Sequence, residues 1–182
     1  HKFYGPTGAG FLYGKRALLE NMPPYQGGGE MIRNVSFDGT TYNDIPYKFE
    51  AGTPNIADVV AMKEAIAFIE RYGKENMAAH ENELLAYAVE RTNQLEGFRP
   101  IGTSGCKVSI LSFLIDGVHA YDIGQMLDAR GVAVRTGHHC TEPLMDHFGI
   151  DGTVRASFAV YNTKEEIDQF AEGLERIIKF LK

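Results

Sequence analysis

Cysteine is nearly missing from this 182-residue chain, with Cys106 and Cys140 the only two. Two thiols cannot staple a small secreted scaffold, so a disulfide framework is excluded as the basis of the fold. Long runs of one kind are missing too. No stretch of Lys and Arg stands out and the formal charge is -6, which sets aside nucleic acid and anionic membrane surfaces as main partners, since both are held through clustered cations. No apolar stretch approaches the roughly 20 residues of a membrane-spanning helix. An opening methionine is also missing: the chain starts at His1-Lys2 and passes straight into Phe3-Tyr4-Gly5-Pro6-Thr7-Gly8-Ala9-Gly10. Chain ends are ordinarily uninformative, so a start this dense in signal is expected of the C-terminal part of a longer protein. With 44% hydrophobic and 23% charged residues, the composition is that of an ordinary globular protein. It is long enough for one domain or a domain and a half, and is expected in the cytoplasm.

What is present concentrates in one stretch, Arg135-Thr136-Gly137-His138-His139-Cys140-Thr141-Glu142-Pro143. It follows Val132-Ala133-Val134, short and β-branched enough for a buried strand ending where the polar cluster begins. Glycine, two imidazoles and an arginine five residues earlier surround Cys140 with groups that favour thiolate over thiol. A nucleophile is prepared in this way. A small buried hydrophobe is the usual fate of a lone cysteine, but His-His-Cys followed by Thr-Glu-Pro reads as a surface loop. A metal site from His138, His139, Cys140 and His147 is disfavoured by spacing, because adjacent residues point apart and no second ligand pair completes a tetrahedron.

Elsewhere the chain supplies the frame. Residues 3–14 are turn-rich, with Phe11-Leu12-Tyr13 fitting a short strand, and 15–21 make a brief helical turn stopped by Pro23-Pro24. Gly27-Gly28-Gly29 reads as a mobile loop. Residues 35–47 are polar and turn-rich around Phe37, Tyr42 and Tyr47. Gly52-Thr53-Pro54-Asn55 then opens a helix over 56–72, with Asn55 as its cap and an N-terminus suited to an anion. A second helix spans 75–95, closed by Gly97. Beyond it the pattern predicts a strand at 108–115, a helix at 121–130, the strand at 132–134, an alternating strand at 154–161, and a final amphipathic helix opened by the capping box Thr163 and Glu166. Residues 74–182 thus read as a compact α+β unit. Arg155 falls on the strand face opposite Val154 and Ala156; its planar fork suits a carboxylate, although a solvated strand face accommodates arginine equally.

Four segments in order carry a resemblance: His1-Lys2 with Tyr4-Gly5-Pro6-Thr7-Gly8; Phe49-Glu50-Ala51-Gly52-Thr53-Pro54-Asn55; Arg135-Thr136-Gly137-His138-His139-Cys140; and Arg155-Ala156-Ser157 with Tyr161-Asn162. Along its whole length the chain resembles the C-terminal part of a pyridoxal-phosphate-dependent cysteine desulfurase of the class V aminotransferase family. It is most similar to the group II branch, SufS-type and selenocysteine-lyase-like. The resemblance implies the type I, aspartate-aminotransferase-like fold, α/β to α+β, with residues 1–73 the tail of the large domain and 74–182 the small domain. It implies Lys2 as the lysine that holds pyridoxal 5'-phosphate covalently, His1 near the cofactor, and Gly52 and Thr53 reaching the phosphate of the other subunit's cofactor in a homodimer. Cys140 would take sulfur from L-cysteine, or act on L-selenocysteine, and pass it to a sulfur-acceptor protein for iron-sulfur cluster assembly. Arg155 would hold the substrate carboxylate, and Arg135 would stand at the site's mouth. Thr141 departs from the alanine that commonly follows the cysteine. The remaining cofactor ligands would precede His1, so the chain alone is expected to be inactive. A lyase or aminotransferase of the same fold, or a non-catalytic binding or dimerisation fragment, are the other readings.

Overall fold

The computed structural model describes residues 2–181. The chain divides into two compact units, with the division between Tyr72 and Gly73. Gly73 takes φ +76, a left-handed conformation that favours glycine.

In the first unit a short helix, α1 (Arg16–Asn21), precedes an antiparallel hairpin of β1 (Ile32–Ser36) and β2 (Gly39–Tyr42). Ser36 pairs with Gly39, leaving Phe37 and Asp38 as the turn. Asp38 N–H donates to Ser36 Oγ and Ser36 Oγ–H to Gly39 O, both at 3.3 Å, so part of the stretch expected to be polar and turn-rich forms a hairpin. Helix α2 (Ile56–Tyr72) has the predicted bounds, and Asn55 caps it: Asp58 N–H donates to Asn55 Oδ1 at 3.5 Å. Tyr4, Phe68 and Tyr72 form a ladder of tilted rings with centroids 5.1 and 4.9 Å apart. Gly5 lies against Met62 and Ala65, so the start of the chain packs on α2. Phe11-Leu12-Tyr13 is not a strand. Its three side chains are exposed, and no strand pairs with it among the described residues.

The second unit is an antiparallel sheet of four strands in the order β3-β4-β6-β5, built from β3 (Phe98–Ile101), β4 (Ile110–Ile115), β5 (Arg135–Gly137) and β6 (Thr153–Ser157). Its core joins the sheet to helices α3 (Lys74–Thr92), α4 (Ala120–Asp128) and α6 (Lys164–Leu181). Strand β4 alternates as its period dictates: Leu111, Phe113 and Ile115 are buried, and the residues between them are not. Phe113 stacks on Phe98 at 4.9 Å and meets the edge of Phe170 at 5.8 Å. Helix α6 buries Ile167, Phe170, Ala171, Leu174, Ile177 and Ile178, the 3–4 spacing of one apolar stripe. Its capping box is formed: Glu166 N–H donates to Thr163 Oγ1 at 3.4 Å, and Thr163 N–H to Glu166 Oε2 at 3.0 Å.

Two strands differ from their expected positions. Residues 132–134 stay outside the sheet, and pairing begins three residues later at Arg135. The strand expected at 154–161 ends at Ser157: Phe158 N–H still reaches Ser109 O, next in register, but Ala159 N–H turns to the side chain of Asn162. The chain also holds a helix that no periodicity announced, α5 (Glu142–Phe148), with Pro143 in its first turn and Gly149 closing it at φ +63.

Candidate active site

Strand β5 pairs with β6 so that Arg135 faces Arg155, Thr136 faces Val154 and Gly137 faces Thr153. Residues directly opposite in an antiparallel pair share a face. Val154 and Ala156 point into the core, so Arg155, and Arg135 opposite it, project from the other side of the sheet. Like charges in that relation are unfavourable, and other requirements keep them there. Arg155 Nε is buried, with no hydrogen-bond partner among the described residues. Leaving a buried donor unsatisfied costs about 1–3 kcal/mol, more when charged. Such a group is set up to receive an acceptor from outside the chain.

The strand pair is held close where the chain leaves it. A Cβ on Gly152 would lie 3.0 Å from the carbonyl of Gly137, so the two backbones meet at a distance that only glycine permits. Helix α4 backs β5 through another glycine, Gly124, where a Cβ would reach Thr136 Cγ2 at 2.6 Å.

From Gly137 the chain enters the Cys140 turn. Thr141 N–H donates to His138 O at 2.9 Å, while His139 and Cys140 take φ +56 and +63. A bond from residue i+3 back to residue i around two positive φ values is the pattern of a type I′ turn, which selects Gly, Asn or Asp at both central positions. Here they are histidine and cysteine. Thr141 Oγ1–H adds a 2.7 Å bond to the same carbonyl, and α5 starts at the next residue. Cys140 is exposed, and Arg135 Nη2–H donates to its sulfur at 3.5 Å. His139 is pushed below its ordinary value by burial first, with the Arg155, Arg135 and His138 charges acting the same way and a bond to Thr153 opposing them. Burial and these charges favour its neutral ring. His138 stands 3.8 Å from Glu142. A cleft of about 710 Å³ opens beside the turn, lined by Arg99, Asp116, His119, Thr136, His138 and Asp151 among others, but by neither Cys140 nor either arginine of the pair.

The structure thus brings together Cys140, Arg135 and Arg155 in the second unit. Lys2, Gly52 and Thr53 belong to the first unit, and His1 lies outside the described residues. Lys2 is exposed and lines a cleft of about 280 Å³ with Phe3, Gly5, Pro6 and Met62. Gly52 has φ +77, and its N–H donates to Gly29 O at 2.9 Å. A Cβ on Gly28 would come within 3.2 Å of Ala51, so the triple-glycine segment backs the Gly52 turn. Thr53 is exposed just ahead of α2.

The family model of class V aminotransferases matches residues 1–170. The chain belongs to that family. Within the class V aminotransferases it is homologous to cysteine desulfurases. A probable cysteine desulfurase of Xylella fastidiosa is 48% identical over all of this chain and 44% of its own length. The Escherichia coli cysteine desulfurase CsdA, in its S-sulfonic acid form, superposes with a TM-score of 0.94 at 41% identity, over 100% of this chain and 45% of that one. The apo cysteine desulfurase of Thermococcus onnurineus superposes at 0.92 and 37% identity, over 97% of this chain and 44% of that one. The chain therefore carries part of the mixed α/β fold of these enzymes and spans less than half the length of the curated relatives it matches.

The tie between His139 and Thr153 had no sequence signal, because the partners lie 14 positions apart. The paired glycines Gly137 and Gly152 were the nearest trace of it.

Proposed function

We propose that the chain is the C-terminal part of a group II cysteine desulfurase, and that Cys140 is the residue that takes sulfur from L-cysteine or assists the release of selenium from L-selenocysteine. The observation that carries this reading is the Arg135, Cys140 and Arg155 arrangement. An exposed sulfur touches one guanidinium, and a second guanidinium with an unsatisfied buried donor sits across the strand pair. Arg155 supplies the fork for the substrate's α-carboxylate. Arg135 places positive charge where an anionic sulfur nucleophile would stand. In the transfer a bond forms between Cys140 Sγ and the substrate sulfur while the substrate's Cβ–S bond breaks. Its electron pair goes to carbon, which gains a proton and leaves as alanine, and Cys140 keeps a persulfide for an acceptor protein.

The donors of the first unit fit pyridoxal 5'-phosphate: Lys2 is an exposed primary amine lining a cleft, the group that condenses with an aldehyde, and Thr53 offers an exposed hydroxyl before a helix start. When bound, the cofactor supplies the electron sink that weakens the bond to sulfur. Lys2, His1, Gly52 and Thr53 would hold it, the latter two across a homodimer, with residues up to 73 closing the large domain and 74–182 forming the small one.

Cys140→Ser in the longer enzyme tests the reading. Cysteine turnover should fall by about three orders of magnitude with cofactor retained, and selenocysteine turnover much less, because the carbon–selenium bond is weaker. The 182-residue chain alone should be colourless and inactive. A Cys140→Ser enzyme that desulfurates cysteine at the original rate would overturn the assignment.

A further inference from the structure

Position 139 suits glycine or asparagine by its backbone, yet carries a histidine. At φ +56 an L side chain strains the backbone, and the same strain recurs at Cys140. The thiol accounts for the second. For the first, the ring itself supplies the reason: His139 Nε2 lies 3.1 Å from Thr153 O and 2.9 Å from Thr153 Oγ1, and Thr153 is fully buried on β6. A carbonyl oxygen only accepts, so a proton on Nε2 satisfies Thr153 O, whereas a proton on Nδ1 would be a buried donor with no partner among the described residues; the geometry favours the Nε2 tautomer. Nδ1 is then a bare acceptor, buried and without a partner.

We propose that His139 is a positioning residue, tying the strained Cys140 turn to Thr153 of β6 and so fixing the sulfur beside Arg135. Apart from this tie and the Arg135 contact with the sulfur, the turn is fastened among the described residues by Thr141, through two bonds to a carbonyl inside the turn itself. Those bonds set its shape and not its place over the strand pair. The groups facing the ring agree with a neutral tether: Arg155 from β6, Arg135 from β5 and His138 from its own turn all disfavour a positive charge on it. A protonated ring would also bury an Nδ1–H that has nothing to donate to. The catalytic meaning of the tether rests on Cys140 as the sulfur acceptor, whereas the tether itself is tested without turnover.

The test uses the 182-residue chain with Cys106→Ser, which leaves Cys140 as its single thiol. Alkylation rates with iodoacetate and with iodoacetamide are measured and divided. Both reagents attack the same thiolate, so its population cancels and the ratio reports the positive potential at the sulfur. In His139→Gly, which relieves the backbone but removes the ring, the ratio should fall by about threefold or more, and exchange of the Thr141 amide should quicken by about tenfold. His139→Gln puts back a donor that can reach Thr153 and should recover most of both effects. An unchanged ratio and unchanged Thr141 protection in His139→Gly overturn the proposal. So does a His139→Gln chain that behaves as His139→Gly while the Val154 and Ala156 amides of β6 stay protected. Should the variants unfold, the nitrogen NMR spectrum of the wild-type imidazole decides: a neutral ring protonated on Nε2 at pH 7 supports the tether, and an Nδ1-protonated or cationic ring overturns it. None of these measurements involves desulfuration, so failure here leaves the proposed function standing, and failure of that function leaves these outcomes unchanged.

Discussion

The two units of this chain bury apolar surface very differently. Among the described residues of the first unit, Met31 and Ala65 are the only buried hydrophobic side chains, while Phe11, Leu12, Tyr13, Tyr25, Phe37 and Val60 stand largely in solvent. The second unit encloses Leu84, Phe113, Ile123, Leu127, Leu174 and Ile177 almost completely. Apolar content is therefore a poor guide to where a fold is held together. Stability per residue follows from which side chains have something to pack against, at roughly 25 cal/mol for each Å² removed from water. The difference also sorts the candidate residues. Cys140, Arg135 and Arg155 hang from a sheet with its own core, and Lys2, Gly52 and Thr53 from segments that have little of one.

Truncating matched aromatics gives the sharpest contrast. Phe113→Ala, at the centre of the second unit, should cost about 3–5 kcal/mol in denaturant unfolding monitored on that unit. Phe37→Ala, at a hairpin tip in solvent, should change nothing measurable. Comparable losses would break the distinction between the units. A smaller effect is expected at the α6 capping box, where Thr163→Ala removes the acceptor for Glu166 N–H and should cost about 1 kcal/mol, with Glu166→Gln costing less because the amide oxygen can still accept from Thr163 N–H. The smallest concerns pH. His139 is held below its ordinary 6.5 in the folded chain, so the unfolded chain binds that proton first as pH falls. Its contribution to stability is complete above pH 6.5 and is lost as pH falls from there through the folded value. The melting temperature of wild type, minus that of His139→Gln, should therefore decline between pH 7.5 and 5. A flat difference would place the imidazole in solvent.

Much of this architecture could be read from residues in order. Periodicity fixed α2 at both ends, and the spacing of Thr163 and Glu166 found the start of α6. The strands near the site were displaced because β-branching at 132–134 marks apolar character and not hydrogen bonding. The ladder starts where β6 offers a partner, at Arg135. Helix α5 was hidden for a different reason: seven residues are too few to show a helical period, although Pro143 in its first turn and Gly149 after its end mark its bounds. The grouping of Cys140 with Arg135 was legible, since five positions separate them. The orphaned Nε of Arg155 and the grip of His139 on Thr153 were not, because both depend on pairing between distant segments.

The left-handed pair at 139 and 140 has a consequence for anyone who diversifies this protein. A library screened for heat resistance alone should enrich glycine and asparagine at both positions, since either relaxes the backbone where it now stands. The winners of such a screen would carry a hydrogen or an amide where the sulfur was. At these two sites selection for robustness and selection for chemistry pull toward different amino acids, and a survey of folded variants would rank the native pair among the poor choices.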